Sequence, residues 1–368
     1  MRVSIIGPAY PLRGGIAHHV YWLWRELRDR GHTVQVVSFR KLYPRILFPG
    51  ATQLDSSLLK LDPKALPILT PLNPISWLRA LSRVKAFSPD IVVFEWWNPF
   101  FAPIAGTLSR LLRRSGVKRI FECHNVFPHE GGPLDRLLLR FAFSSADHFI
   151  THSTKDRDDL SALVPGKEIT VSPLPSLEEF SSADAGSRDG RTILFFGKVR
   201  KYKGLEVLLA AMPLVLSKID CRLVIVGEFY DSVAKYQRLI RERGLEDSVH
   251  IDNRYVPNEE VPAIFEDADV LVLPYLSATQ SGVARIALSS GLPVIASRTG
   301  GLCEAVIEGF NGLLFSPGDP AALAEQLVMY FSDNLGTVFG KNIRTAASTS
   351  QCSIVETIEQ MAQHQFAG

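Results

Sequence analysis

Two hydrophobic rhythms alternate along this chain. Short apolar runs closed by a glycine, proline or polar residue read as buried strands. Between them apolar residues recur every three or four positions, the spacing of helices. The first run, Val3 to Ile6, ends at Gly7; a helical pattern over about 16–30 stops at Gly31, and Val34 to Val37 starts the next strand. Further strands are expected over 89–94, 120–123 and 147–151, with helices over 102–114 and 134–143. Residues 40–75 break the rhythm with prolines, scattered aromatics and the basic Arg40, Lys41 and Arg45, and are expected to form a long functional or mobile loop. The alternation resumes with strands over 192–196, 222–226, 249–251, 270–273 and 293–296, and a final helix over 353–366. Such alternation predicts parallel α/β sheets covered by helices. A chain of 368 residues exceeds one ordinary core, so two domains are expected. The polar stretch 181–187 is the natural linker, giving domains over 1–180 and 181–350 and a closing helix over 351–368.

Composition narrows the class. Hydrophobic residues make up 46% and charged residues 21%, as in a soluble globular protein. The net charge of +2 hides an asymmetry. Residues 1–180 carry 23 Lys/Arg against 16 Asp/Glu, a balance of +7, and residues 181–368 carry 17 against 22, a balance of −5. A basic first half suggests an acidic partner on that side: phosphate, anionic lipid or nucleic acid. A nucleic-acid partner is disfavoured, because the basic residues are not interleaved with a recognisable module. Cys123, Cys221, Cys303 and Cys352 have no metal-ligand spacing, which argues against a zinc site or a disulfide frame and fits a reducing compartment. Met1 leads straight into a strand without a signal-peptide pattern, and no apolar run reaches the ~18–20 residues of a membrane span. A cytoplasmic location is expected.

The candidate chemistry gathers at strand ends. In residues 191–212, a strand ends at Gly197, a loop follows with Lys198, Arg200, Lys201 and Lys203, and Gly204 opens a helix. Free N–H groups and partial positive charge at a helix N-terminus suit a diphosphate, although a solvated turn fits the spacing equally well. The first loop places Gly14 and Gly15 before its helix. Its glycines do not spell G-x-G-x-x-G and no acid ends the second strand, so a dinucleotide site is disfavoured. Glu95, Trp96, Trp97 and Asn98 end one strand; the tryptophans either cap the core or stack on a sugar or lipid. His124 and Asn125 end the next strand, followed by His129 and Glu130. A histidine there is either scaffold or catalyst. Glu95 and Glu130 are the nearby acids that could accept a proton, with His129 a weaker candidate. No D-x-D metal clamp stands in a catalytic context, and no metal or other cofactor is expected.

These motifs together resemble the GT-B glycosyltransferases of family 4. Gly197-Lys198-Val199 with Lys203-Gly204 is similar to that family's G-R-L-x-x-x-K-G signature, with Lys198 where arginine is usual and Arg200 two residues on. The G-G-I-x-x-H pattern that begins at Gly14-Gly15 is similar to its first glycine loop. Ser290-Gly291-Leu292-Pro293-Val294-Ile295-Ala296, Gly300-Gly301-Leu302-Cys303-Glu304 and Asn311-Gly312 continue the likeness. Two glutamates usual in the family are absent, with Ala278 and Ile286 in their places. Ser277-Ala278-Thr279-Gln280-Ser281-Gly282-Val283 instead resembles a subgroup with S-A-T-Q-S-G and Y-K-G loops, the latter matched by Tyr202-Lys203-Gly204.

The resemblance implies two Rossmann-like domains facing a cleft, with the last helix crossing back to the first domain. It implies retaining transfer of a hexose from a UDP- or GDP-linked donor to a glycan, lipid-linked glycan or small-molecule acceptor. Lys198, Arg200 and Lys203 would stabilise the diphosphate, and His124 would stand beside the transferred sugar. The donor would also meet Gly14, Gly15, Gly197, Gly204, Glu228, Tyr255, Val256, Thr279, Gln280, Ser281, Gly282 and Val283. The acceptor would meet Glu95, Trp96, Trp97, Asn125, His129 and Glu130. The missing glutamates keep open a nucleotide-sugar-binding protein without transferase activity, and a sugar-nucleotide epimerase on the same fold is a second alternative. Residues 1–145 carry 20 Lys/Arg against 9 Asp/Glu, much of it beside apolar residues at Arg79, Arg83, Arg110 to Arg114 and Arg136 to Arg140. Solvated helix faces or peripheral contact with an anionic inner membrane face both fit this pattern.

Overall fold

A computed structural model describes all residues except 45–47, 49–51, 128–131, 133, 176–179, 181–189, 348–352 and 367–368. Arg45, His129, Glu130 and the expected linker 181–187 lie outside the described residues. The chain groups into two compact units, one of residues 1–56, 60–173 and 352–368, the other of 57–59 and 174–351.

The first unit holds a seven-stranded parallel sheet: β1 (Arg2–Ile6), β2 (Thr33–Phe39), β3 (Leu66–Leu69), β4 (Ile91–Trp96), β5 (Lys118–Cys123), β6 (His148–Thr151) and β7 (Glu168–Val171), in the order β3-β2-β1-β4-β5-β6-β7. Helices α1 (Gly15–Asp29), α2 (Pro74–Phe87), α3 (Ala102–Arg113), α4 (Asp135–Phe143) and α5 (Thr154–Leu163) connect the strands. Side chains alternate between the two faces of a strand, so each strand feeds two cores. In β4, Val92, Phe94 and Trp96 enter the core that includes Leu108, Leu112, Leu139 and Phe143 of α3 and α4. Ile91 and Val93 enter the opposite core with Val20 and Leu23 of α1. Ile354, Val355 and Ile358, from the C-terminal helix Ser353–Phe366, join that second core. The last helix therefore packs on the first unit.

Strand β3 lies inside the stretch expected as irregular. Pro67 interrupts its pattern, and an edge strand tolerates a residue without an N–H. Asn73 then caps α2, accepting from the Ile75 N–H at 3.1 Å with Pro74 at the first helical position.

The second unit holds a six-stranded parallel sheet: β8 (Thr192–Phe196), β9 (Arg222–Val226), β10 (Val249–Asp252), β11 (Val270–Leu273), β12 (Val294–Ser297) and β13 (Gly312–Phe315), in the order β10-β9-β8-β11-β12-β13. Its helices are α6 (Leu205–Leu216), α7 (Val233–Glu242), α8 (Val261–Glu266), α9 (Gly282–Ser289), α10 (Leu302–Ala305), α11 (Pro320–Ser332) and α12 (Leu335–Ala347), and the C-terminal helix is α13. The very apolar α6 is buried through Leu205, Leu208, Leu209 and Met212, which fixes the loop that enters it.

Candidate active site

Open parallel sheets bind ligands where the chain order reverses, at the carboxyl ends of the two strands flanking the reversal. In the second unit these strands are β8 and β11. The loop after β8 runs from Gly197 to Gly204, and the loop after β11 runs through Tyr275 to Ser281. The two are joined. The Leu276 N–H donates to the Tyr202 carbonyl at 2.7 Å, and Lys203 Nζ donates to the Tyr275 hydroxyl at 3.0 Å. Gly204 has φ 67°, and a Cβ there would lie 1.8 Å from the Pro274 carbonyl oxygen. Only glycine permits the basic loop to close on β11 in this way.

Lys203 is 8% exposed. Burial pulls its ammonium pKa down, but Tyr275 and Tyr202 more than offset this and hold it above the ordinary lysine value. It is therefore a fixed cation at neutral pH. Lys198 and Arg200 are half-buried and stand over the Tyr230 ring, at 5.7 Å and 4.7 Å from its centre. On the other loop, Ser281 caps α9 by accepting from the Ala284 N–H at 3.3 Å. The Gly301 N–H donates to the Thr279 carbonyl at 2.9 Å, tying the two glycine-rich segments together. Thr279, Gln280 and Val283 are half-buried and Gly282 is exposed. Ala278 and Ile286 are both buried, so no carboxylate stands at either position. Glu228 follows β9, and its carbonyl accepts from the Val199 N–H at 2.9 Å; half-buried Tyr255 and buried Val256 follow β10.

In the first unit the reversal falls between β1 and β4. The loop after β1 leads through half-buried Gly14 and exposed Gly15 into α1. Here the alternation of β4, β5 and β6 brings Glu95, Glu122, His124 and His152 to one face of the sheet, where His19 of α1 meets them. Nε2 of His124 lies 2.6 Å from Oε2 of Glu95, and Nε2 of His19 lies 2.7 Å from Oε1 of Glu122. His152 Nε2 is 3.5 Å from the same Glu122 oxygen. All five side chains are buried.

Burial disfavours charge at every one of these groups, and the outcome depends on partners. His19 is lowered by burial, but Glu122 and then Glu95 raise its pKa to about 9. Burial raises Glu122, and the histidines led by His19 pull it down to about 2. Burial, then the charge of Glu122, holds Glu95 well above the carboxylate range. His124 falls to about 3 through burial and the charge of His19, and His152 to about 3 through burial and His124. These directions favour one ion pair, His19 with Glu122, beside uncharged His124 and His152.

Two expectations need correction. Trp96 is a core residue, 1% exposed and packed on Phe121 and Phe143, because β4 alternation turns it to the face opposite Glu95. It offers no face to an acceptor. Glu95 is buried and engaged by His124, so it is not an open acid awaiting the acceptor's proton. Trp97 is half-buried, packs on Phe101 and donates from Nε1 to the Tyr43 hydroxyl at 3.2 Å; Asn125 is half-buried beside His124.

Two family models match the chain. Residues 190–333 match glycosyl transferases group 1, and residues 14–175 match the glycosyl transferase 4-like domain. A D-inositol 3-phosphate glycosyltransferase of Arthrobacter sp. is 32% identical over 197 residues, 52% of this chain and 46% of the relative. Another of that name, from Catenulispora acidiphila, is 28% identical over 275 residues, 66% of this chain and 64% of the relative. The chain spans about half the length of the first of these relatives. Among solved structures, sucrose-phosphate synthase of Thermosynechococcus elongatus superposes with a TM-score of 0.78 at 21% identity, covering 100% of this chain and 99% of that one. HepE of Anabaena, solved in complex with UDP, gives 0.73 at 16% identity over 100% of both chains. Two parallel α/β units with these neighbours define the GT-B fold. The chain belongs to the family 4 glycosyltransferases, and both family models fall on the units that carry the two sites.

Proposed function

We propose that this protein is a retaining glycosyltransferase that moves a hexose from a UDP- or GDP-linked donor to a glycan, lipid-linked glycan or small-molecule acceptor. The observation that carries this reading is the junction at the β8–β11 reversal. There a buried, charged Lys203 and the capped N-terminus of α9 stand on two loops joined by hydrogen bonds. Such a place stabilises a leaving diphosphate with fixed charges and dipoles, without calling on a metal ion. As the bond from the anomeric carbon to the diphosphate oxygen breaks, its electron pair stays with the phosphate. Lys198, Arg200 and Lys203 offset the growing charge. The acceptor oxygen bonds to the same face of the carbon, and its proton passes to the departing phosphate oxygen. Thr279, Gln280 and Ser281 supply neutral hydrogen-bonding groups for the sugar where the family's glutamates are absent. His124 takes the role that the family resemblance gives it, orienting the transferred sugar.

Binding to the folded state raises its stability by mass action, by about 2.7 kcal/mol at a hundredfold excess over Kd. A melting screen against UDP, GDP, ADP and their hexose conjugates should therefore show a rise for the UDP or the GDP series. The UDP complex of the HepE neighbour favours UDP. No rise with any nucleotide would remove the donor-site assignment.

The acceptor side is proposed to touch an anionic membrane surface peripherally, on its inner face. Among the described residues no helix is long and apolar enough to cross a membrane. On α2, Ile75 and Leu78 are exposed beside Arg79 and Arg83; on α4, Leu137 and Phe141 are exposed beside Arg136 and Arg140. Basic, apolar helices of this kind bind anionic lipid, each Lys or Arg adding about 1 kcal/mol. Arg110 keeps its charge, but its N–H groups are engaged by the carbonyls of Gly106 and Phe141. Liposome flotation should need anionic lipid and fade with salt. Absence of flotation under every condition would favour a soluble acceptor.

A further inference from the structure

Glu95 and Glu122 are register partners on adjacent strands and turn to the same buried face. Two carboxylates placed side by side out of water do not both ionise without two compensating charges. The groups that face them are His19 from α1, His124 after β5 and His152 after β6. His19 pairs with Glu122 at 2.7 Å, so its charge is shared between the two carboxyl groups, and the hydrogen-bond partner of Glu95 is His124. The fold makes room for this carboxyl group: a Cβ on Gly7, at the end of β1, would lie 2.5 Å from Glu95 Cγ.

We propose that Glu95 is a positioning residue held as the neutral acid, donating its carboxyl proton to Nε2 of His124. The donated proton fixes the imidazole ring, keeps it uncharged and leaves the Nδ1–H as the donor that His124 offers to a ligand. The ordinary alternative, an ionised Glu95 accepting from Nε2–H, would present a bare Nδ1 instead. The low pKa of His124 and the raised pKa of Glu95 agree with the first arrangement.

The ligating atoms of His19, Glu95, Glu122 and His124 lie within 4.8 Å of one another, so a divalent cation is the competing occupant. Two atoms bound to one tetrahedral ion at about 2.1 Å stand roughly 3.4 Å apart. The 2.6 Å contact of His124 with Glu95 is the separation of atoms sharing a proton, whereas His19 and Glu122 stand at ion-pair distance without hydrogen-bond geometry. Geometry favours the proton.

The test is the nitrogen spectrum of the full chain labelled with ¹⁵N-histidine, with His124 assigned by comparison with His124→Gln. Between about pH 6 and pH 8, where a free histidine titrates, wild type should show a neutral ring protonated at Nδ1. Glu95→Gln, whose amide N–H replaces the acid proton, should keep that tautomer, and Glu95→Leu should lose it. A His124 protonated at Nε2 in wild type would overturn the proposal. So would a stoichiometric metal that shifts the His124 signals and is removed by chelator. If Glu95→Leu does not fold, the wild-type titration still decides. As a role in transfer the inference rests on the proposed function: Glu95→Gln should keep kcat within a few-fold, and Glu95→Leu should lose on the order of tenfold or more. The expected tautomer without any transferase activity would leave the ring assignment standing and sink the functional reading instead.

Discussion

Replacing Lys203 by alanine is expected to lower transfer by about 10²-fold or more, the scale of losing one fixed electrostatic stabiliser. Its ammonium is buried, charged and held by the Tyr275 hydroxyl, so its charge is not dissipated in water. The loss should appear both in kcat and in donor affinity, because the diphosphate is negative before the bond breaks and more so afterwards. Arg200→Ala should do nearly as much if Arg200 takes the role of the family's usual arginine. Lysine at position 198 acts as a point charge, whereas Arg200 brings a planar fork able to bind two phosphate oxygens. Steady-state kinetics of both variants check this, and wild-type values in both would remove the loop from the mechanism.

His124→Ala is expected to reduce transfer strongly, on the order of 10²-fold, while the chain still folds. The sequence alone suggests a strand-end side chain with little packing. The structure adds a cost, since truncation leaves the Glu95 carboxyl without its partner at 2.6 Å. An orphaned buried polar group costs about 1–3 kcal/mol, so the melting point should fall by a measurable amount. Kinetics beside a thermal melt separate the two effects. A variant that unfolds yet keeps full specific activity in its folded fraction would show that His124 is scaffold.

The basic loop after β8 was legible because its residues are contiguous: Gly197, Lys198, Arg200, Lys203 and Gly204 lie within eight residues, between a strand and a helix that period alone announces. The histidine–glutamate cluster was not. His19, Glu95, Glu122 and His152 come from four distant stretches, and only the parallel register sets Glu95 against Glu122. A signal did exist in the two-residue period. Ile91, Val93 and Glu95 share one face of β4, and Ile120 and Glu122 share one face of β5. The same period would have sent Trp96 to the opposite core. Strand β3 was hidden by Pro67, which an interior strand would not accept and an edge strand does.

The account stands or falls on donor turnover. Purified protein would be incubated with UDP- and GDP-hexoses, with and without a panel of hydroxyl acceptors, while free nucleotide is measured and the new glycosidic bond is examined for its anomeric configuration. The account predicts nucleotide release that depends on acceptor, with the donor's configuration kept in the product. A nucleotide that raises the melting point while no donor is ever consumed, or a donor converted with no acceptor present, would contradict it.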